Sequence, residues 1–127
     1  MIHTKNFNPA VDKKLLCTCG NPGCDKRSVS QFVLDKAQLV RDKANRPLIV
    51  TSAGRCPLHP KEVNKSKPAD HQKCQALDFR CNGGLERGEL VKLGIECGFN
   101  AIGVYSWGVH LGCRPGLKPG QLMMWEG

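Results

Sequence analysis

The apolar residues of this chain occur in short segments separated by proline and glycine, and this pattern constrains the fold more than any other feature. No apolar run approaches the ~20 residues that a membrane-spanning helix needs. Two segments, at 28–45 and 85–97, carry apolar side chains at helical spacing. Shorter apolar segments, which predict strands, lie at 48–51, 75–79, 101–105 and 108–111. We therefore expect an α+β fold in which two main helices pack against a small, mostly antiparallel sheet.

The chain divides into a broken N-terminal part and a more regular remainder within a single domain, which its 127 residues fit. Residues 1–27, with two prolines and two glycines, predict an irregular arm that contains cysteines, and residues 28–127 predict the core of the domain. The segment SVSQ resembles a capping box, with Ser28 as the N-cap of the first helix. Residues 53–70, rich in proline and lysine, predict a long loop, and the tail from Pro115 predicts another.

The net charge of +8 is carried by the first two thirds of the chain. Residues 1–46 hold nine Lys or Arg against four Asp, residues 47–80 hold six basic against three acidic residues, and residues 81–127 hold four of each. This asymmetry predicts either a solvated basic face or an anionic partner such as nucleic acid, an anionic membrane surface or a bacterial cell wall. The N-terminal residues include no apolar segment, so we expect no secretory signal.

Eight cysteines are present, and the densest group is the segment CTCGNPGC, which contains Cys17, Cys19 and Cys24. Its C-x-C-x4-C spacing is compatible with a structural zinc site whose fourth ligand comes from Cys56 or His59. A disulfide framework and small buried thiols are the alternatives. The sequence leaves these three interpretations open.

A carboxylate within an apolar strand marks a candidate site. Asp78 lies in the predicted strand at 75–79, where an ionised side chain is costly unless it is paired or binds a metal. His71 precedes it by seven residues, and His110 lies in a later predicted strand. Two imidazoles and one carboxylate are the three-ligand set of a catalytic zinc site. Ordinary hydrogen-bonded histidines are the alternative, which the spacing by itself does not exclude.

Three motifs in fixed order resemble a known family. They are VTSAGRCP at 50–57, HQKCQALD at 71–78, and GVY followed by VH within 103–110. Together they closely resemble the zinc peptidoglycan peptidases that include D-alanyl-D-alanine carboxypeptidases and L-alanyl-D-glutamate endopeptidases. The small phage-encoded members look most similar. The resemblance extends from a cysteine-rich segment near Cys17 to Trp125.

The resemblance implies that His71, Asp78 and His110 bind one catalytic Zn²⁺, and that Arg55 holds a carbonyl or carboxylate group of the substrate. A salt bridge that fixes the loop is the alternative role for Arg55. Zinc would lower the pKa of bound water toward ~7 and polarise the scissile carbonyl, and Arg55 would help to stabilise the oxyanion. Tyr105 either donates a hydrogen bond to this oxyanion or is a packed aromatic residue.

The position of the general base differs from the family pattern. Relatives place a carboxylate three residues before or two residues after the last histidine, or a histidine five residues before it. Those positions are occupied here by Trp107, Gly112 and Tyr105. Asp70, next to the first histidine, is a candidate base or a partner of that ligand, and a charge on the loop is the alternative. Cys74 and Cys113 also lie near predicted ligands and could bond to each other or perturb the metal.

These features predict a zinc metallopeptidase that hydrolyses amide bonds in peptidoglycan stem peptides and acts as a phage lysis enzyme. The alternatives are a catalytically degenerate relative, which serves as a wall-binding or virion structural module, and a small zinc-binding protein that recognises nucleic acid. We expect a monomer with peptidoglycan as its partner, without nucleic-acid binding or membrane insertion. We expect it in the host cytoplasm before lysis or in the virion, with the charge of residues 1–80 attracting it to the polyanionic wall.

Overall fold

The structure, a computed structural model, describes residues 2–127. In chain order its elements are a 3-10 turn (Lys13–Leu15), α1 (Gln31–Ala44), β1 (Val50–Ser52), β2 (Ala76–Arg80), α2 (Gly83–Glu96), β3 (Ala101–Val104), β4 (Gly108–Gly112) and β5 (Met123–Glu126). Within the described part of the chain, neither helix is long and apolar enough to cross a membrane.

The five strands form one sheet in the order β1-β2-β4-β3-β5. Neighbouring strands are antiparallel, except that β3 and β5 run parallel. This arrangement confirms the predicted α+β fold with two helices and a mostly antiparallel sheet. The central strands β2 and β4 lie where the sequence predicts them, whereas β1 starts two residues later than predicted, at Val50.

The hydrophobic core lies between one face of the sheet and the two helices. The central strands contribute side chains without exposed surface: Leu77, Phe79, Val109 and Leu111. The helices contribute Val33, Leu34, Ala37, Val40 and Leu90. Because successive side chains of a strand point to opposite faces, Asp78 and His110 face away from this core.

The first helix begins two residues later than the sequence predicts. The side chain of Ser30 accepts a hydrogen bond from the backbone N–H of Val33 at 3.3 Å, so Ser30 is the N-cap and the capping box at Ser28 is wrong. Ser28 instead precedes the helix and passes close to Gly54, where an added Cβ would come within 2.6 Å of the Ser28 carbonyl oxygen. The helix ends at Ala44, close to the predicted end, and its C-cap Asn45 has left-handed backbone angles.

Both terminal segments are part of the fold. In residues 2–27 the regular structure is limited to the 3-10 turn, yet Phe7 and Leu15 are buried in the core. The prediction that the tail from Pro115 is entirely loop is wrong, because β5 pairs with β3 near the C-terminus. The residues of β5 are mostly exposed, so no alternation between buried and exposed side chains marks this strand in the sequence.

Candidate metal centre

A row of directly opposed residues crosses all five strands: Ser52, Asp78, His110, Gly103 and Trp125. Asp78 and His110 are partners on the central strands β2 and β4, and both are buried. Opposed residues of an antiparallel pair carry their side chains on the same face and within reach of each other. The register of the sheet therefore brings the predicted carboxylate and the last histidine together.

His71 reaches the same point from the loop between β1 and β2. Its Nε2 lies 3.1 Å from Oδ1 of Asp78 and 3.2 Å from Nδ1 of His110. Its Nδ1 lies 2.6 Å from the carbonyl oxygen of Ala53. Because that oxygen can only accept, Nδ1 carries the proton and donates it, and Nε2 of the neutral imidazole directs a lone pair into the site.

His110 is oriented in a corresponding way by Asp70. Oδ2 of Asp70 lies 2.9 Å from Nε2 of His110, and Arg114 donates to both oxygens of this carboxylate at 3.0–3.2 Å. Asp70 is 4% exposed, so it is a buried partner of the site and not a charge on the loop surface. A carboxylate that accepts the Nε2 proton leaves the lone pair of the neutral imidazole on Nδ1, which faces the other two side chains.

Three acceptor atoms therefore converge when both imidazoles are neutral. Nε2 of His71, Nδ1 of His110 and Oδ1 of Asp78 lie 3.0–3.2 Å from one another. Lone pairs at this separation repel unless a cation lies among them. Zinc bonds of about 2.0–2.1 Å to tetrahedral ligands place the ligand atoms about 3.3 Å apart, so the spacing and the donor set both fit Zn²⁺.

The ionised carboxylates around the centre also favour a bound cation. Burial alone would lower the pKa of His110, but its hydrogen bonds to Asp70 and Asp78 outweigh burial and raise this pKa. Burial also disfavours the ionised form of Asp78, yet the imidazoles of His110 and His71, which donate to it when they are protonated, hold its pKa well below the usual range. The pKa of Asp70 is lowered against burial by His110 and Arg114. Both carboxylates thus stay ionised and attract positive charge to the centre.

Arg55 lies beside Asp78 in a network of buried polar groups. Its guanidinium donates to Oδ2 of Asp78 at 3.5 Å, to Oε2 of Glu62 at 3.3 Å and to Oγ of Ser52 at 3.0 Å. Its backbone N–H donates to the carbonyl oxygen of His71 at 3.1 Å. Arg55 therefore forms the salt bridges that fix the loop, and it also lines the cleft at the metal centre.

Tyr105 lies in the same cleft between two tryptophans. The indole N–H of Trp125 donates to its hydroxyl oxygen at 2.7 Å, and its ring stacks on Trp107 with a centroid separation of 4.8 Å. Trp125 also packs against the ring of His110. Gly103 makes room for this arrangement, because a Cβ there would come within 2.7 Å of both the Tyr105 and Trp125 rings. Since the Tyr105 hydroxyl accepts from the indole, its own proton remains available for donation.

These side chains line one cleft of about 520 Å³. Its charged residues are mainly basic: Arg55, Lys61, Lys65 and Arg114 against Asp70 and Asp78. Even without a metal ion, the lining therefore carries more positive than negative charge. Such a cleft suits a substrate with a carboxylate close to the bond that reacts.

The structure assembles a second group of potential metal ligands from the N-terminal cysteines. Cys17, Cys19 and Cys24 meet Cys56, and the four sulfur atoms all lie within 4.8 Å of one another. Of the two fourth ligands that the sequence allowed, the structure brings Cys56 into the group and not His59.

Cys74 and Cys113 belong to neither group of potential ligands. Their sulfur atoms contact carbonyl oxygens of Gln72 and Gly98 at 4.0 Å, and burial raises the pKa of both thiols. No disulfide joins these two or any other pair of cysteines within residues 2–127.

Some residues of the centre were not predicted from the sequence. Glu62 is an acidic residue among the lysines of a long loop, and its side chain is fully buried against Arg55. Arg114 lies two residues after the end of β4, but nothing in the sequence pairs it with Asp70. The group of Ala53 that orients His71 is a backbone carbonyl, so the residue type gives no indication of this role. The acidic Glu62 between Lys61 and Lys65 was the one usable indication.

Comparison with known proteins agrees with the geometry. The family model described as Peptidase M15 matches residues 8–113, which cover most of the chain. The search of curated proteins found no match to the chain. The matched range contains Arg55, Asp70 and the three potential zinc ligands. This confirms the family indicated by the sequence motifs: the chain belongs to the peptidase M15 family and is a zinc metallopeptidase.

Proposed function

We propose that this protein hydrolyses amide bonds in the stem peptides of bacterial peptidoglycan, with His71, Asp78 and His110 as ligands of a catalytic zinc ion. The observation that carries the proposal is the convergence of their three acceptor atoms within 3.0–3.2 Å. The carbonyl of Ala53 and the carboxylate of Asp70 hold the two imidazoles so that each directs a lone pair to this point. Membership of a zinc peptidase family supports the identity of the metal.

The chain's own side chains account for substrate orientation. Bound zinc supplies an activated water molecule and polarises the scissile carbonyl. Arg55 lines the cleft beside Asp78, where its planar guanidinium suits a carbonyl or carboxylate group of the substrate. Tyr105, whose hydroxyl oxygen accepts from Trp125, donates a hydrogen bond to the oxygen that becomes negatively charged.

The charge of the cleft supports a peptidoglycan stem peptide as the substrate. Stem peptides carry free carboxylates, and four basic side chains line the cleft against two carboxylates. The positive charge of residues 1–80 favours accumulation at a wall that contains phosphate polymers. This attraction should weaken as salt increases.

We further propose that the protein is a phage lysis enzyme that acts as a monomer. The resemblance of its motifs to the small phage-encoded members supports this role. It would accumulate in the host cytoplasm before lysis or travel in the virion, and it would act on the wall without binding nucleic acid or inserting into a membrane.

Digestion of purified peptidoglycan tests the proposal. The wild-type protein should release new amino groups, chelator should abolish this release, and added Zn²⁺ should restore it. Asp78→Ala should be inactive, whereas Asp42→Asn, which alters an exposed carboxylate on α1, should keep full activity. Mass spectrometry of the fragments assigns the cut to the L-Ala–D-Glu bond or to a bond near the terminal D-Ala. Full wall-digesting activity of Asp78→Ala would contradict the proposed mechanism.

One observation favours a second candidate, a degenerate relative that binds the wall without cutting it. Asp70 and Asp78 are the carboxylates that line the cleft within residues 2–127, and both are held by histidine and arginine. Neither is free to serve as a general base. Sedimentation with purified wall, without release of amino groups in the presence of zinc, would favour this candidate.

A further inference from the structure

The four-cysteine group joins the N-terminal arm to the loop that follows β1. Cys17, Cys19 and Cys24 lie in the arm, and Cys56 lies just after Arg55. The sulfur atoms of Cys19 and Cys56 are 3.5 Å apart, and all four sulfur atoms lie within 4.8 Å of one another. Zinc–sulfur bonds of about 2.3 Å place tetrahedral ligands about 3.8 Å apart. The spacing is therefore that of four ligands around one ion.

The backbone around the group is arranged to stabilise thiolates. Each sulfur atom faces a backbone N–H group, the first three at 3.2–3.5 Å: Cys17 that of Cys56, Cys19 that of Asn21, Cys24 that of Lys26, and Cys56 that of Leu58. Hydrogen bonds to a charged acceptor favour the charged form, and the thiolate is the form that binds metal. Four adjacent thiolates repel one another, so they form together only around a cation.

We propose that these four cysteines bind a second zinc ion, with a structural role. Four protein sulfur atoms complete a tetrahedral site and leave no position for water, which distinguishes structural from catalytic zinc. On binding, each thiol releases its proton to solvent and the resulting thiolate bonds to Zn²⁺. The arm holds five basic residues against two aspartates, and this positive charge favours the two negative charges that remain.

The loop segment 53–56 connects this site to the catalytic centre. Its first residue, Ala53, orients His71 through a carbonyl oxygen, and its third, Arg55, donates its backbone N–H to the carbonyl of His71. Its last residue, Cys56, belongs to the cysteine group. A zinc ion shared by Cys56 and the arm would hold this segment in place, and with it the orientation of His71.

Metal analysis and cobalt spectroscopy of the full chain test the proposal. The purified protein should contain two zinc ions per chain, and Cys24→Ser should contain one. Cys97→Ser, which changes a buried cysteine outside the group, should keep two. After exchange with Co²⁺, wild type should show thiolate-to-metal charge-transfer absorption. Cys24→Ser should lose this absorption and His71→Ala should keep it, since the catalytic ligands include no sulfur.

Thiol counting on the wild-type protein covers the case in which Cys24→Ser does not fold. After denaturation and metal removal without reductant, all eight cysteines should react with a thiol reagent. A mass lower by two or four hydrogens would reveal disulfides within the group and overturn the site, as would cobalt-loaded wild type without charge-transfer absorption. A zinc-dependent peptidase that lacks this absorption would contradict the cysteine site alone. An inactive protein that shows it would contradict the proposed function alone.

Discussion

The carboxylate of Asp70 accepts a hydrogen bond at 2.9 Å from Nε2 of His110, forty residues further along the chain. Gly112 leaves room for this contact, because a Cβ there would lie only 3.2 Å from both the accepting oxygen and the donating nitrogen. Position 112 is one at which some relatives carry an aspartate. Here the carboxylate next to the last histidine comes from the loop before β2, and it orients the imidazole.

Replacing Asp70 with asparagine should weaken zinc binding at the catalytic centre. An amide accepts the Nε2 hydrogen bond less strongly than a carboxylate and no longer forms an ion pair with Arg114, so the lone pair on Nδ1 is less well fixed. We expect a loss of about 10–100-fold in zinc affinity, as for other partners of metal-bound histidines. Competition with a chelator measures it. Asp42→Asn is the matched control, and equal affinities of the two variants would rule out an orienting role for Asp70.

Replacing Tyr105 with phenylalanine separates its two possible roles. If the hydroxyl donates to the oxyanion, kcat should fall about 10²-fold with little change in KM, the size of effect seen when one such donor is removed. If the residue only packs between Trp107 and Trp125, both kinetic constants should remain near wild type. Steady-state kinetics on a stem peptide decides between these two roles. An unchanged denaturation midpoint would show that the variant keeps the fold.

Replacing Arg55 with methionine should destabilise the protein. The change leaves the buried carboxylate of Glu62 without its guanidinium partner, and we expect a loss of about 3–5 kcal/mol in the free energy of unfolding. Arg46→Met, which breaks a partly exposed pair with Glu89, should cost no more than about 1 kcal/mol.

The double variant Arg55→Met/Glu62→Gln tests the same network. It removes both charges of the pair, so it should recover part of the stability that Arg55→Met loses, but none of the activity. Urea denaturation of wild type, Arg55→Met, Arg46→Met and the double variant gives the free energies of unfolding to compare. If Arg55→Met and Arg46→Met were equally stable, the buried salt bridge would not fix the loop.

The sequence predicted the parts of the centre that local pattern controls. Asp78 was recognisable because a carboxylate in an apolar strand needs a partner. The helices and central strands followed from apolar spacing, which reflects the side of each element that is buried. Both signals depend on residues close together in the chain, and the structure bears out the fold that they predicted.

What the sequence did not predict depends on contacts between distant segments. The choice of Cys56 over His59 as the fourth member of the cysteine group follows from how the arm crosses the loop after β1. The role of Asp70 depends on Arg114 and on the space beside Gly112. The spacing of residues along the chain carries no information about which distant segments come into contact.

Replacing Gly54 with alanine tests the crossing that brings the arm and the metal-centre loop together. A Cβ at this position would lie 2.2 Å from the carbonyl oxygen of Arg27 and 2.6 Å from that of Ser28. Backbone cannot yield as a flexible side chain can, so we expect a loss of about 3 kcal/mol or more in the free energy of unfolding. Gly88→Ala, within α2 and with nothing near its Cβ position, should instead stabilise by up to about 1 kcal/mol. If urea denaturation gave both variants the stability of wild type or better, residues 27–28 would not lie over the loop, and the connection between the two metal sites would be lost.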